Sequence, residues 1–420
     1  MLSIVFWFVL GLIALIAGAE LFVRSASSLA VRLGISKLIV GLTVVAFGTS
    51  APELGVSIQA GSSGEADILL GNIVGSNLSN ILLILGIGAV ILPLRVNTKL
   101  IRTDVPIMIG VTVLLFLFAL NGQITVWENA TLVLIFIGYL LFLYQENKVA
   151  MREIEEKKKE TGLETLVEEI PLPMIALVPM GIAGLTLLIL GSRWLVGSAV
   201  SIAEILGISE LVIGLTVVSV GTSLPEVVIV VVAAFKGERD IAVGNIVGSN
   251  ILNIVLVLGT AGLVIPEPIP VQDVMLRFDF PVLILATIAC LPIFFTGNKI
   301  GRIKGGTFLF MYFAYVLYLF MDATGSPLLE PFKRVMLFGV IPVAALVILI
   351  NFIPEYRRRR LFYLAAKHRK RRKAEKVRQK QESRPNQEPK ADKKSSSNPE
   401  SSSNPEPSSN PESSSNPESK

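Results

Sequence analysis

A glutamate is costly inside an apolar segment, and this chain places two of them in nearly the same wording. Gly41–Glu53 reads GLTVVAFGTSAPE and Gly214–Glu226 reads GLTVVSVGTSLPE. An acidic side chain within a membrane span costs at least about 2.5–3.5 kcal/mol on insertion scales and is functional by default. Pro52 and Pro225 each precede a glutamate. A proline cannot donate to the carbonyl four residues back, so carbonyls are expected to be freed at Gly48 and Gly221. In lipid such groups persist only where they are buried in protein or line a cavity. Thr49 and Glu53 lie four apart on one helix face, with Ser50 beside them, and Thr222, Ser223 and Glu226 repeat the arrangement. Carboxylates, hydroxyls and carbonyls at one depth are the oxygen ligands of a hard cation.

A second pair of blocks follows, GNIVGSNLSN at Gly71–Asn80 and GNIVGSNILN at Gly244–Asn253. Their glycines form small-xxx-small pairs that let helices approach closely. Asn72, Ser76 and Asn80 fall on roughly one helix face, and Asn245, Ser249 and Asn253 repeat it. Asn80, Asn253, Ser76 and Ser249 are therefore candidate neutral ligands, whereas Asn72 and Asn245 read as structural. A plainer reading competes at Ser50–Glu53, where Ser-x-Pro-Glu also fits a capping box that merely starts a helix. A broken helix does need a new start, but a cap does not explain a glutamate in apolar surroundings. Glu20 has only Arg193 opposite it in the repeat described below, and both read as snorkelling residues near span ends.

The elements that position these residues are membrane helices. The chain has 420 residues, 52% hydrophobic and 17% charged, against about 25% charged in soluble domains. Eleven apolar stretches long enough to cross a bilayer fall near 3–23, 38–60, 67–92, 104–120, 126–144, 174–195, 211–235, 241–265, 279–297, 305–323 and 335–353. The first reads as a retained helix rather than a signal peptide, because no Lys or Arg precedes Arg24. Sixteen Lys and Arg fall in the loops of one side, including Arg24, Arg32, Lys37, Lys99, Lys148, Lys236 and Lys304. Four, namely Arg193, Arg277, Lys333 and Arg334, fall on the other. By the positive-inside rule the N-terminus is expected outside and the C-terminal tail in the cytoplasm, in a multi-pass cell-membrane protein.

The chain is also two halves. Residues 33–86 align without a gap to 206–259, with 32 of 54 positions identical. The match extends back to GLIALIAGAELFV from Gly11 against GLTLLILGSRWLV from Gly184. Each half holds five spans. An odd number turns the second copy upside down, the inverted-repeat design that places a site at the midplane between halves. The expected fold is thus all-α and polytopic. Residues 1–145 form the first inverted repeat, 146–172 a charged cytoplasmic loop and 173–323 the second repeat. Residues 324–356 form an extra transmembrane helix, and 357–420 a tail that is first basic and then disordered.

The paired blocks GTSAPE with GNIVGSNLSN, and GTSLPE with GNIVGSNILN, resemble the alpha repeats of the cation/calcium exchanger superfamily, most closely its prokaryotic sodium/calcium exchanger branch. The likeness covers about residues 1–323. It implies ten core helices around a central site occupied in turn by Ca2+ and Na+, which bind as substrates, with no cofactor. Carried over by the matching motifs, Glu53 and Glu226 correspond to the Ca2+ carboxylates and Thr49 and Thr222 to further calcium ligands. Ser50, Ser76, Ser223 and Ser249, with the carbonyls of Ala46 and Ser219, correspond to sodium ligands. Asn80 corresponds to a polar central position. Many members carry Asp where this chain has Asn253, so two carboxylates are expected rather than three, and both the sodium stoichiometry and the coupling ion stay open. Some relatives exchange Ca2+ for H+.

Two other classes compete. An intramembrane hydrolase using paired carboxylates as acid and base would need two different environments to split their roles, and here the environments are nearly duplicated. A channel fits inverted halves with broken helices less well than a rocking transporter. The chain therefore reads as an antiporter and not an enzyme. The basic run at 357–378 can contact anionic lipid. Positive-inside bias alone explains that run, and no nucleic-acid partner is expected.

Overall fold

The computed structural model describes residues 2–161, 173–206, 221, 223–265 and 267–340, with isolated positions at 342, 353 and 357. The first part of the expected span 211–235, most of 335–353 and the tail beyond 357 therefore fall outside the described residues.

The described residues are almost all helical. α1 (Leu2–Leu33) is followed by a broken pair, α2 (Lys37–Thr49) and α3 (Ala51–Ser62), which meet at 45°. Then come α4 (Ala66–Ile91), α5 (Thr98–Ala119) and α6 (Val126–Thr161). The second half holds α7 (Met174–Ile205), α8 (Leu224–Phe235), α9 (Arg239–Val264), α10 (Met275–Asn298) and α11 (Arg302–Ala323). α12 (Leu329–Val335) comes last. Among the described residues eight helices are long and apolar enough to cross a membrane, and the bent α2–α3 pair makes nine if it is counted as one span. The protein is an all-α multi-pass membrane protein.

Several helices outrun the apolar stretches that announce them. α1 continues to Leu33, so Arg24 and Arg32 ride on the helix and not in a loop. α6 runs into the charged EIEEKKKE stretch as far as Thr161, past the boundary drawn at 145. Backbone hydrogen bonding does not stop where hydropathy does, and long basic side chains can reach the interface from inside a helix. The half-exposed Glu20 on α1 pairs with Lys236, which follows α8.

α4 and α9 hold the centre. The apolar window of α9 is wholly buried, whereas α1 and α7 present Phe6, Ile13, Ile175 and Ile182 outward. The outer pair is joined by glycine. A Cβ at Gly11 would lie 2.7 Å from the Leu195 nitrogen and 2.8 Å from the Gly191 oxygen. A Cβ at Gly184, the repeat equivalent of Gly11, would lie 2.7 Å from the Phe22 nitrogen and 2.8 Å from the Gly18 oxygen. Exchanging the two halves turns one contact into the other. Because Gly11 meets Gly191 while Gly18 meets Gly184, the two helices pack antiparallel.

Two short antiparallel ribbons, which the sequence does not announce, obey the same exchange. β1 (Leu94–Arg95) pairs with β4 (Lys299–Ile300), in register Leu94 to Ile300. β2 (Gln123–Ile124) pairs with β3 (Ile269–Pro270), in register Ile124 to Ile269. Each ribbon ties a connection of one half to a connection of the other.

Replacing Gly184 by leucine should therefore force α1 and α7 apart at about 1–3 kcal/mol or more, read as a lower melting temperature in detergent. Gly110→Ala, at an exposed mid-helix position with nothing within 4 Å of its Cβ, should not lower melting and should raise it slightly through helix propensity.

Candidate functional site

α2 ends at Thr49, and Ser50 leaves helical geometry at φ −82°, ψ 2°. α3 then begins at Ala51 with Pro52 in its first turn and Glu53 just behind it. The second copy is built alike, with Ser223 at φ −90°, ψ 6° and Pro225 and Glu226 opening α8. Proline here starts a helix, where its missing N–H costs nothing. The capping-box expectation holds for the helix start and fails for the cap. Neither Ser50 nor Ser223 caps its helix through the side chain. Both hydroxyl oxygens are buried with no hydrogen-bond partner in the protein.

The glutamates share that condition. Glu53 and Glu226 are each about 1% exposed, and one carboxylate oxygen of each has no partner. The third matching pair is Asn80 and Asn253, both buried, each with an unpartnered side-chain oxygen. Both asparagines sit where their helix widens into a π segment, Ser79–Ile84 in α4 and Asn253–Leu258 in α9. Such bulges recur at functional sites because they re-aim a side chain and loosen a carbonyl.

The remaining candidates are already partly engaged. The Thr49 hydroxyl lies 3.3 Å from the Ala46 carbonyl and 3.2 Å from Asn245 Oδ1, its possible acceptors, and 3.5 Å from Ser249 Oγ. The Ala46 carbonyl also accepts from the Ser50 backbone N–H at 3.0 Å. Ser76 Oγ donates to the Ile73 carbonyl at 3.2 Å and accepts from Asn253 Nδ2 at 3.1 Å. Thr222 and Ser219 lie outside the described residues. The Gly221 carbonyl does not turn to the site as expected of a freed group. It accepts from Ser192 Oγ on α7 at 2.8 Å.

Supporting residues surround this set. Asn72 Nδ2 donates to the Glu53 carbonyl at 3.2 Å and to Ser57 Oγ at 3.0 Å, tying α4 to the start of α3. Asn77 and Asn250, fully buried, were not on the ligand face read from the sequence, yet Asn77 Nδ2 donates to the Asn250 carbonyl at 3.2 Å. Their duplication within the GSN triplets was the signal available. Another repeated pair escaped notice because it lies beyond the aligned blocks. Tyr139 donates to Asp104 at 3.4 Å, and Tyr315 donates to Asp279 at 2.9 Å. Among the described residues no three of His, Cys, Asp and Glu gather to hold a metal. The acidic content of the site is its two glutamates.

Residues 3–145 and 177–321 match the model of the sodium/calcium exchanger protein family. The chain is 35% identical over 352 residues to the sodium/calcium exchanger MaX1 of Methanosarcina acetivorans, covering 74% of this chain and 97% of that one. It is 37% identical over 280 residues to the inner membrane protein YrbG of Escherichia coli, covering 67% and 85%. A solved structure of the sodium-calcium exchanger NCX_Mj superposes with a TM-score of 0.64 at 28% identity, covering 76% of this chain and all of that one.

If Ser50 and Ser223 are ligands and not caps, Ser50→Ala and Ser223→Ala should leave the melting temperature of the ion-free protein nearly unchanged. Loss of a working cap would cost about 1 kcal/mol. Both variants should instead lose part of the rise in melting temperature that saturating Ca2+ or Na+ gives the parent protein.

Proposed function

This chain belongs to the sodium/calcium exchanger family, and on that premise we propose that it exchanges Ca2+ for Na+ by alternating access at a central site built on Glu53 and Glu226. It is a cation antiporter in the membrane, and the finer reading rests on one observation above all. Three pairs of buried oxygens, on Ser50 and Ser223, Glu53 and Glu226, and Asn80 and Asn253, have no donor within the protein. A buried acceptor left unpaired is costly, and a buried charge far more so. Cations bound among these oxygens would supply the partners that the protein does not.

The charge count supports exchange over leak. With both carboxylates ionised the site carries two negative charges, which one Ca2+, two Na+ or two protons would neutralise. A doubly charged empty site in a low-dielectric interior is strongly disfavoured, so a loaded site is favoured to cross. Ca2+ suits flexible oxygen cages of six to eight ligands, whereas Mg2+ demands tight octahedral geometry and dehydrates reluctantly. Hydroxyl, amide and carbonyl oxygens suit Na+ as well, and a proton-driven cycle would need none of them. Exchange of Ca2+ for H+ is the second reading, favoured by Asn253, which removes one acid that could help hold a further Na+.

Glu53→Gln or Glu226→Gln should abolish Ca2+ uptake into proteoliposomes driven by an outward Na+ gradient. Near-normal uptake by both variants would end the two-glutamate reading, and uptake that follows a pH gradient while ignoring Na+ would favour the proton exchanger. The neutral ligands are present in both halves, so we expect three Na+ per Ca2+ and an electrogenic cycle. A membrane potential set with K+ and valinomycin should then change the Na+-driven rate. A voltage-independent rate would limit the cycle to two Na+.

A further inference from the structure

The two central asparagines outside the ligand set, Asn77 and Asn250, are equivalent in the repeat but differ in what they do. Asn77 reaches across to the other half, where its Nδ2 donates to the Asn250 carbonyl at 3.2 Å. Asn250 turns back on its own helix, where its Nδ2 donates to the Ile246 carbonyl at 2.8 Å, and its Oδ1 has no partner. Both side chains are fully buried. Two positions of one repeat unit thus stand in different hydrogen-bonded states within one molecule.

The cross-half state fixes a neighbour. A backbone carbonyl can only accept, so the Asn250 carbonyl requires the Nδ2 end of Asn77. That leaves Asn77 Oδ1 pointing toward Asn253, whose Nδ2 donates to it at 3.1 Å and to Ser76 Oγ at 3.1 Å. Asn253 has then spent its donor end, and its unpartnered Oδ1 is the only end left for a cation. The polarity of one backbone carbonyl is passed through two amides to a candidate ligand. The same chain makes position 253 suited to an amide, because a carboxylate there would set oxygen against Asn77 Oδ1.

The equivalent chain in the other direction is not made. It would run from the Asn77 carbonyl through Asn250 to Asn80, and it needs Asn250 Oδ1 as an acceptor, which here has no donor. In an inverted-repeat transporter the two access states are largely related by the halves exchanging roles. We propose that Asn77 and Asn250 are paired positioning residues that trade these roles as the transporter changes its open face. In one state Asn77 aims Asn253 Oδ1 into the site. In the other Asn250 aims Asn80 Oδ1, while Asn77 folds back onto the Ile73 carbonyl, the repeat equivalent of Ile246. This rests on the Ca2+ antiport proposed above.

The test compares the two faces. Asn77→Ala and Asn250→Ala are expressed as full chains, and the apparent KM for Ca2+ is measured separately on each face, in right-side-out and inside-out membrane vesicles. Whichever gradient, Na+ or H+, drives the parent protein is used. Each variant should raise KM about tenfold on one face, the equivalent of one lost hydrogen bond, and leave the other within about twofold. The affected faces should be opposite for the two variants. A merely structural role would move both faces alike. Asn77→Ser and Asn250→Ser, which keep a small polar group in the buried site, carry the same expectation should an alanine variant fail to fold. Equal shifts on both faces, shifts on the same face, or no shift overturn the exchange of roles and leave the antiport reading standing. Absence of Ca2+ transport by the parent protein under either gradient overturns both.

Discussion

Buried oxygen without a donor is the constraint on which the rest of this molecule depends. A folded protein pairs nearly all its interior acceptors, and this one leaves a matched set unpaired at its centre. Cations are the partners we propose for these oxygens, because carboxylate, hydroxyl and amide oxygens are all ligands of a hard cation. Several groups beside these oxygens spend their hydrogen bonds elsewhere. The helices that start after Ser50 and Ser223 do so without spending those hydroxyls on caps. Asn72 spends its amide on the Glu53 backbone and Ser57 instead of on the carboxylate. Asn253 is held by its nitrogen, so that its oxygen stays uncommitted.

The second theme is duplication with antiparallel packing. Gly11 against Gly191 and Gly18 against Gly184 are the same contact made twice, as are the two ribbons. Contacts that survive an exchange of the halves suit the rocking of one half against the other that the proposed alternating access would use. The departures from symmetry then become informative. Ser192 caps the Gly221 carbonyl, while its repeat equivalent, Ala19, has no hydroxyl to do the same for Gly48. Asn77 and Asn250 differ in their partners for a different reason. Their identities match, so conformation alone separates them.

The membrane class, the repeat and the glutamate-centred blocks were legible in the sequence, because each is written in local residue types. Apolar length predicts spans, a gapless match of 32 in 54 positions reveals the halves, and a Pro-Glu pair in apolar sequence announces a broken helix with a purpose. Helix ends were less legible, since α1 and α6 run on past their apolar stretches into charged residues. The Asp104–Tyr139 and Asp279–Tyr315 pairs were also missed. Their partners stand 35 and 36 residues apart, with small shifts between the halves that break a fixed-offset alignment.

Hydrogen-bond partners belonged to the tertiary structure alone. No sequence pattern states that Ser50 and Ser223 remain unpartnered while Thr49 is shared among Ala46, Asn245 and Ser249. No pattern states that the Gly221 carbonyl, freed by proline, is taken by α7, or that Asn77 polarises Asn253 from the opposite half. The reason is physical. Residue type and spacing determine which groups can donate or accept and which helix face they occupy. Whether a given oxygen finds a donor depends on what the other half of the chain brings within about 3 Å, and that distance is set only when the halves pack.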